Sequence, residues 1–191
     1  MLAYVFWHWP GHGTTAEVYE QHLMEFHRTL AAARLEGVRH SVACRISGAP
    51  WLPTDPPGYE DWYLIDGFGS LETLKAGAIS GDCKEPHDRV ARLAAGGAGS
   101  IYELVSGDAG VTSQRWATWL SKPRGISYDQ FYAELNPFTT RQDVSLWQRQ
   151  LALGPATEFC ISSAGRLELP ANLAPVTVGR TPIWNGATSR S

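Results

Sequence analysis

Six histidines hold most of the chemistry that this chain of 191 residues can offer, and two stand out by position. His27 falls on the apolar stripe of a helical stretch, in the pattern Tyr19-x-x-x-Leu23-x-x-x-His27-x-x-Leu30. An imidazole there titrates near neutrality when a ligand reaches it, which suits proton abstraction from an acidic phenol or lactone. The ordinary alternative is a core histidine satisfied by a backbone carbonyl or an acid. His8 lies near the end of a strand, on the same face as Tyr4 and Phe6, where it would line a pocket. His27 and His8 are the catalytic candidates.

The remaining polar residues rank lower. His8 and His12 bracket the turn Trp9-Pro10-Gly11, but no third ligand stands at a metal spacing, and no metal site is assigned. His22 is about 140° from His27 around a helix, so the two cannot chelate one ion. His40 sits on the apolar face of its own strand and would approach His8 if the two strands were neighbours. His87 follows Pro86 at a helix start. Arg39 and Arg45 share a strand face with Ser41 and could grip a carboxylate, but an ion pair with Asp61 is the favoured expectation. Tyr4, Phe6, Trp7, His40, Trp62 and Tyr63 are the substrate-binding candidates, an aromatic set that suits a flat ligand and equally a packed core. No Gly-rich phosphate loop, nucleophile elbow or CxxC is present, and the Gly96–Gly99 run is expected to end a helix.

Patterning sets the elements that must position these groups. Leu2 to Trp9 reads as a strand with Tyr4, Phe6 and His8 on one face and Val5, Trp7 and Trp9 on the other. Thr14 or Thr15 caps a helix that runs to about Leu35 before Gly37. Val38–Ser47 and Tyr59–Phe68 alternate as strands, the second with Asp61, Tyr63 and Ile65 on one face. Ser70 opens a helix that weakens at Gly77, Glu85-Pro86 starts another that runs to Ala95, and Ser100–Val105 is a fourth strand. Strand, helix, strand, strand, helix, strand is the ferredoxin-like βαββαβ order of an α+β fold.

The opening then recurs. Ala3–Leu23 and Arg115–Leu135 both read as strand, Pro/Gly turn and helix, placing Thr15 on Ser127, Tyr19 on Phe131, Leu23 on Leu135 and His27 on Thr139. The second copy looks truncated: a helical stretch at Asp143–Leu153, strands at Thr157–Ser162 and Val176–Arg180, and no clear second helix or final strand. Two segments are expected, residues 1–107 and a partial repeat over 111–191, joined near Gly107–Gly110.

A four-stranded antiparallel sheet with both helices on one face leaves its other face bare. Covering that face with the repeat, with a second chain, or with both gives a barrel, and the pocket is expected between the sheets. The element order and the helix motif quoted above resemble the dimeric α+β barrel superfamily, and within it the EthD-like branch. The branch's usual Trp is Leu23 here. That resemblance implies a homodimer and a small-molecule site. The superfamily's chemistry spans cofactor-independent monooxygenases, polyketide cyclases, isomerases and haem-dependent enzymes.

Bulk properties narrow the class. A net charge of -3 gives no electrostatic footprint for nucleic acid, and no run of about 18 apolar residues suggests a membrane helix. Met1 leads directly into an aromatic strand, without the basic n-region of a secretory leader. Three widely spaced cysteines fit reduced thiols in a cytoplasm. The expectation is a cytoplasmic EthD-like enzyme acting on a small hydrophobic, aromatic molecule without a nucleotide cofactor. The alternative is a non-catalytic ligand-binding or oligomerisation module, and a third reading is haem binding through a histidine.

Overall fold

The structure, a computed structural model, describes residues 1–53, 55–110, 114–152 and 154–187. Among these, eight strands form one closed antiparallel barrel in the order β1-β3-β2-β8-β5-β7-β6-β4. The first half contributes β1 (Leu2–Pro10), α1 (Ala16–Ala32), β2 (Val38–Ser47), β3 (Gly58–Ile65), α2 (Phe68–Ala78), α3 (Lys84–Leu93) and β4 (Ala94–Ser106). The second contributes β5 (Trp116–Leu120), α4 (Tyr128–Thr139), β6 (Val144–Ala152), β7 (Phe159–Ser163) and β8 (Val176–Ala187). Each half runs in the ferredoxin-like spatial order: β4-β1-β3-β2 in the first, β8-β5-β7-β6 in the second. They join where β2 pairs with β8 and β4 with β6. The barrel therefore closes within one chain, and no second chain is needed to complete it.

The starts of α1 and α4 follow the expected capping chemistry, whereas α2 begins earlier than expected, at Phe68 behind Gly67 with no side-chain cap, so Ser70 lies inside its first turn. The Thr15 side chain accepts from the Val18 N–H at the start of α1, and Ser127 forms a capping box with Gln130 at the start of α4. The equivalence of Thr15 and Ser127 read from the repeat thus has a structural basis. Pro86 occupies the first turn of α3, where its missing N–H costs nothing.

The space between the two half-sheets, where the sequence placed a pocket, is filled. Trp7, Trp62, Trp119, Trp147 and Tyr102 are all fully buried in one cluster inside the barrel. Trp7 meets Trp119 edge-on at 5.5 Å and Trp62 meets Trp147 at 5.2 Å between ring centroids. An eight-stranded barrel is just wide enough for side chains to fill, and indoles fill it here. The pair Glu60–Arg180 is threaded through this core. Glu60 accepts from Trp7 Nε1 at 2.9 Å, Trp62 Nε1 at 2.7 Å and Arg180 Nε at 2.8 Å, while Arg180 also donates to Ser162 Oγ at 2.7 Å.

Two second-half expectations change and one is met. The stretch expected as a helix at Asp143–Leu153 is strand β6, with Ser145 and Trp147 inside the barrel and Val144 and Leu146 under α4. Leu153 itself lies outside the described residues, as do residues 111–113 at the expected start of the second segment. The final strand exists as β8 and is longer than expected, because it must span both β2 and β5. As expected, the second half has no second α-helix among the described residues; an irregular run with a short 3₁₀ turn at Ala171–Leu173 covers the sheet with Leu167 and Leu173.

In the first half, Gly96–Gly99 does not end a helix but lies within β4. These glycines are there for close approach. A Cβ at Gly97 would lie 2.3 Å from Phe6, and one at Gly99 would lie 2.6 Å from Tyr4. The rings of β1 thus lie flat across the neighbouring strand.

Candidate functional site

The cavity lies on the other side of the sheet, between the first half-sheet and helices α1, α2 and α3. Its volume is about 620 Å³, the size of a small-molecule pocket. Apolar groups such as Phe6, Leu23, Phe26, Leu74 and Val90 make most of its wall. A polar group sits at its floor: Asp61, His8, Tyr19, Tyr63 and Tyr4.

Alternation brings these residues together. Tyr4, Phe6 and His8 of β1 lie in register with Tyr63, Asp61 and Tyr59 of β3, and α1 crosses above them with Tyr19 and His27. The His8 and His27 Nε2 atoms each stand 3.2 Å from Asp61 Oδ2, and the Tyr63 hydroxyl donates to the same oxygen at 3.0 Å. The imidazole N–H directions are out of line with Oδ2, so neither Nε2 makes an aligned hydrogen bond and the attraction is chiefly electrostatic. Asp61 Oδ1 has no hydrogen-bond partner at all among the described residues. The far nitrogens are well held: His8 Nδ1 is 2.6 Å from the Tyr19 hydroxyl, and His27 Nδ1 is 3.0 Å from Ser41 Oγ. Ser41 Oγ also accepts from Trp184 Nε1 at 3.1 Å, which leaves the Ser41 proton for His27.

The electrostatics follow from burial. Asp61 is only 2% exposed, and burial alone would raise its carboxyl pKa. The adjacent His8 and His27 outweigh that penalty and hold Asp61 well below the usual carboxylate range. Burial first, and the Asp61 charge second, push the Tyr19, Tyr63 and Tyr4 hydroxyls up, so all three remain neutral donors.

The second half is an internal control. Strand register and the helix repeat place Leu120, Phe131, Thr139, Ile161 and Phe159 where the first half has His8, Tyr19, His27, Asp61 and Tyr59. Phe131 and Phe159 pack with centroids 4.8 Å apart, as Tyr19 and Tyr59 do at 5.0 Å. The same βα scaffold is built there with an apolar core. The fold does not require the buried acid or its two imidazoles.

The candidates named from sequence separate cleanly. Tyr4, Phe6, His8 and Tyr63 line the cavity. His27 is wholly buried behind Asp61, stacked on Tyr63 at 5.3 Å, and does not form part of the cavity wall. Trp7 and Trp62 face the barrel interior, on the opposite side of the sheet from the cavity. His40 is separated from His8 by β3 and is held by Asn185 at 2.6 Å; burial lowers its pKa and that bond opposes the shift. Arg39 pairs with Asp66 and Arg45 with Glu20, so neither reaches Asp61. Asp61 and Tyr19 line the cavity and were not among the site candidates named from sequence. Their signal was present: an acid one residue from Trp62, on the same strand face as Tyr63 and Ile65.

Among the described residues, no three His, Cys, Asp or Glu side chains are arranged to hold a metal ion. The floor also does not fit a haem, because both nitrogens of His8 and of His27 face protein groups. The wall's other imidazole, His87, is 34% exposed and held by Asp88, so a group ligated there would sit at the cavity's rim.

No protein-family model matches the chain, and no curated protein sequence matches it. Solved structures do match. One is described as "Putative Chlorite dismutase TA0507", with 11% sequence identity, a TM-score of 0.51, and coverage of 94% of this chain and 93% of that one. At that identity the likeness shows the fold alone: a ferredoxin-like α+β barrel. No helix is long and apolar enough to cross a membrane among the described residues.

Proposed function

We propose that the chain is an EthD-like enzyme that moves a proton on a small hydrophobic, aromatic molecule held between its first half-sheet and helices. The observation that carries this is the unpartnered Asp61 Oδ1, buried at the floor of an apolar cavity. A buried acceptor without a donor is costly, and a ligand hydroxyl would supply one. Residues 1–107 would hold the site and residues 111–191 would close the barrel. A homodimer is not required for this role.

The network assigns each group a task. Asp61 Oδ2 faces His8 Nε2 at 3.2 Å, so the imidazole meets the acid on that side and presents Nδ1 to Tyr19. His8 Nδ1 then accepts the Tyr19 proton, and the Tyr19 oxygen is left to take one from the ligand. Both transfers together leave a ligand anion beside an imidazolium–Asp61 pair. Returning the proton to a different ligand atom would be an isomerisation. His27 touches no ligand in this scheme; with Ser41 and Trp184 behind it, it is a positioning residue for Asp61.

Calorimetry with 2-naphthol and its methyl ether, 2-methoxynaphthalene, tests the donor requirement. The naphthol should bind about 10- to 100-fold more tightly, the range for a hydrogen bond to a charged group. Asp61→Asn should remove most of that preference while circular dichroism remains native. Equal affinity for phenol and ether in the wild type would dismiss Asp61 as the receiving group.

A further inference from the structure

The cavity wall carries two formal charges of opposite sign, Asp61 and Lys75. Asp61 is buried at the floor, while Lys75 belongs to the last turn of α2 and is exposed to solvent. From this polarity we infer that the ligand is an amphipathic acid: a hydroxylated aromatic carboxylate that enters hydroxyl first and leaves its anionic group at Lys75. This rests on the reading of the cavity as a small-molecule site and specifies which molecules it takes.

Three observations set the orientation. An anionic group driven to the floor would face the Asp61 carboxylate at low local dielectric, whereas a hydroxyl there meets an acceptor. Of the cations of the adjoining helix, Lys84 is engaged with Asp88 and Arg89 with both Glu85 and Glu25, and Arg92 does not form part of the cavity wall. Lys75 has no ion pair among the described residues, although its side chain forms part of the cavity wall. A lysine in that position lays its methylenes along the apolar wall and keeps its ammonium in water, where it can meet a ligand's outer end. Between floor and mouth the lining is apolar, with Leu74, Ala78 and Val90 facing the ring system.

The test uses 6-hydroxy-2-naphthoate, which carries its hydroxyl and carboxylate at opposite ends of the ring system, against 2-naphthol. The naphthoate should bind the wild type about two- to fivefold more tightly, as expected for one partly exposed ion pair. Lys75→Gln should abolish the difference and Lys75→Glu should invert it, each read as the ratio of the two affinities within one variant, because shortening a wall side chain changes both probes together. Naphthoate binding no tighter than naphthol, or a preference that survives Lys75→Glu, would overturn the assignment of Lys75 while leaving the cavity reading intact. Failure of 2-naphthol itself to bind would overturn both. Ala91→Trp, which fills the exposed edge of the cavity wall, should block both probes; binding that persists in this variant would place them elsewhere and overturn the inference.

Discussion

Tyr19→Phe is expected to slow proton exchange on a bound ring ketone by roughly 10²- to 10⁴-fold, the usual worth of a positioned acid/base group. The measurement is deuterium uptake at the α-carbon of 2-tetralone in heavy water, followed by NMR. The variant removes one oxygen from the wire between the cavity and His8 and leaves the ring in place. The protein already contains the outcome of that change: Phe131 packs on Phe159 in the second half as Tyr19 packs on Tyr59 in the first. Folding should therefore be retained. His8→Leu copies Leu120 in the same way and should cost as much. The two losses should not add, because both variants interrupt one transfer path. Exchange at the wild-type rate in Tyr19→Phe would remove the wire from the account. Binding of tetralone with no exchange above background in the wild type would favour a non-catalytic binding module instead.

The largest effect on stability is expected inside the barrel, away from the site. Arg180→Met should destabilise the fold by about 3 to 5 kcal/mol, because it strands the Glu60 carboxylate in a core of indoles. Trp7 and Trp62 would still donate to Glu60, but their N–H groups carry no full charge to balance it. The double variant Glu60→Gln/Arg180→Met should recover most of the loss, since it removes both charges together. Urea denaturation of the three proteins measures this directly. A single-variant loss below about 1 kcal/mol would mean that water reaches Glu60. The pair also has a topological role: Glu60 lies on β3 of the first half, and Arg180 lies on β8 of the second. It therefore fixes how the half-sheets meet across the barrel.

Much of the first half was legible because strand alternation is a local property. Tyr4, Phe6 and His8 share a face, as do Asp61, Tyr63 and Ile65, and the two sets meet in β1–β3 register as the pattern implied. The ion pair expected for Asp61 across the hairpin does not form, because Arg39 and Arg45 lie on the neighbouring strand but find other acids. Arg39 and Arg45 find Asp66 and Glu20 at partly exposed positions, while Asp61 is buried against histidines from two other elements. Long-range convergence of this kind leaves no mark in spacing. The cavity was placed on the wrong side of the sheet for a related reason. Nothing in one strand reveals that four tryptophans from four strands will fill the barrel interior. Residues 144–152 read as helix because Leu, Gln and Arg favour helices, yet the alternation of Val144 and Leu146 with Ser145 and Trp147 was there, and packing on both faces prevailed. The close approach of Phe6 to Gly97 shows the same limit: a glycine run reads as a stop until the ring that needs it is known.

A crystal structure with 2-naphthol bound is the most direct test of the account. The ring should lie between the first half-sheet and α1–α3, against Phe6 and Phe26, with its hydroxyl oxygen about 3 Å from Asp61 Oδ1 or the Tyr19 oxygen. A naphthol found with its hydroxyl turned to solvent, or seated anywhere other than this cavity, would contradict it.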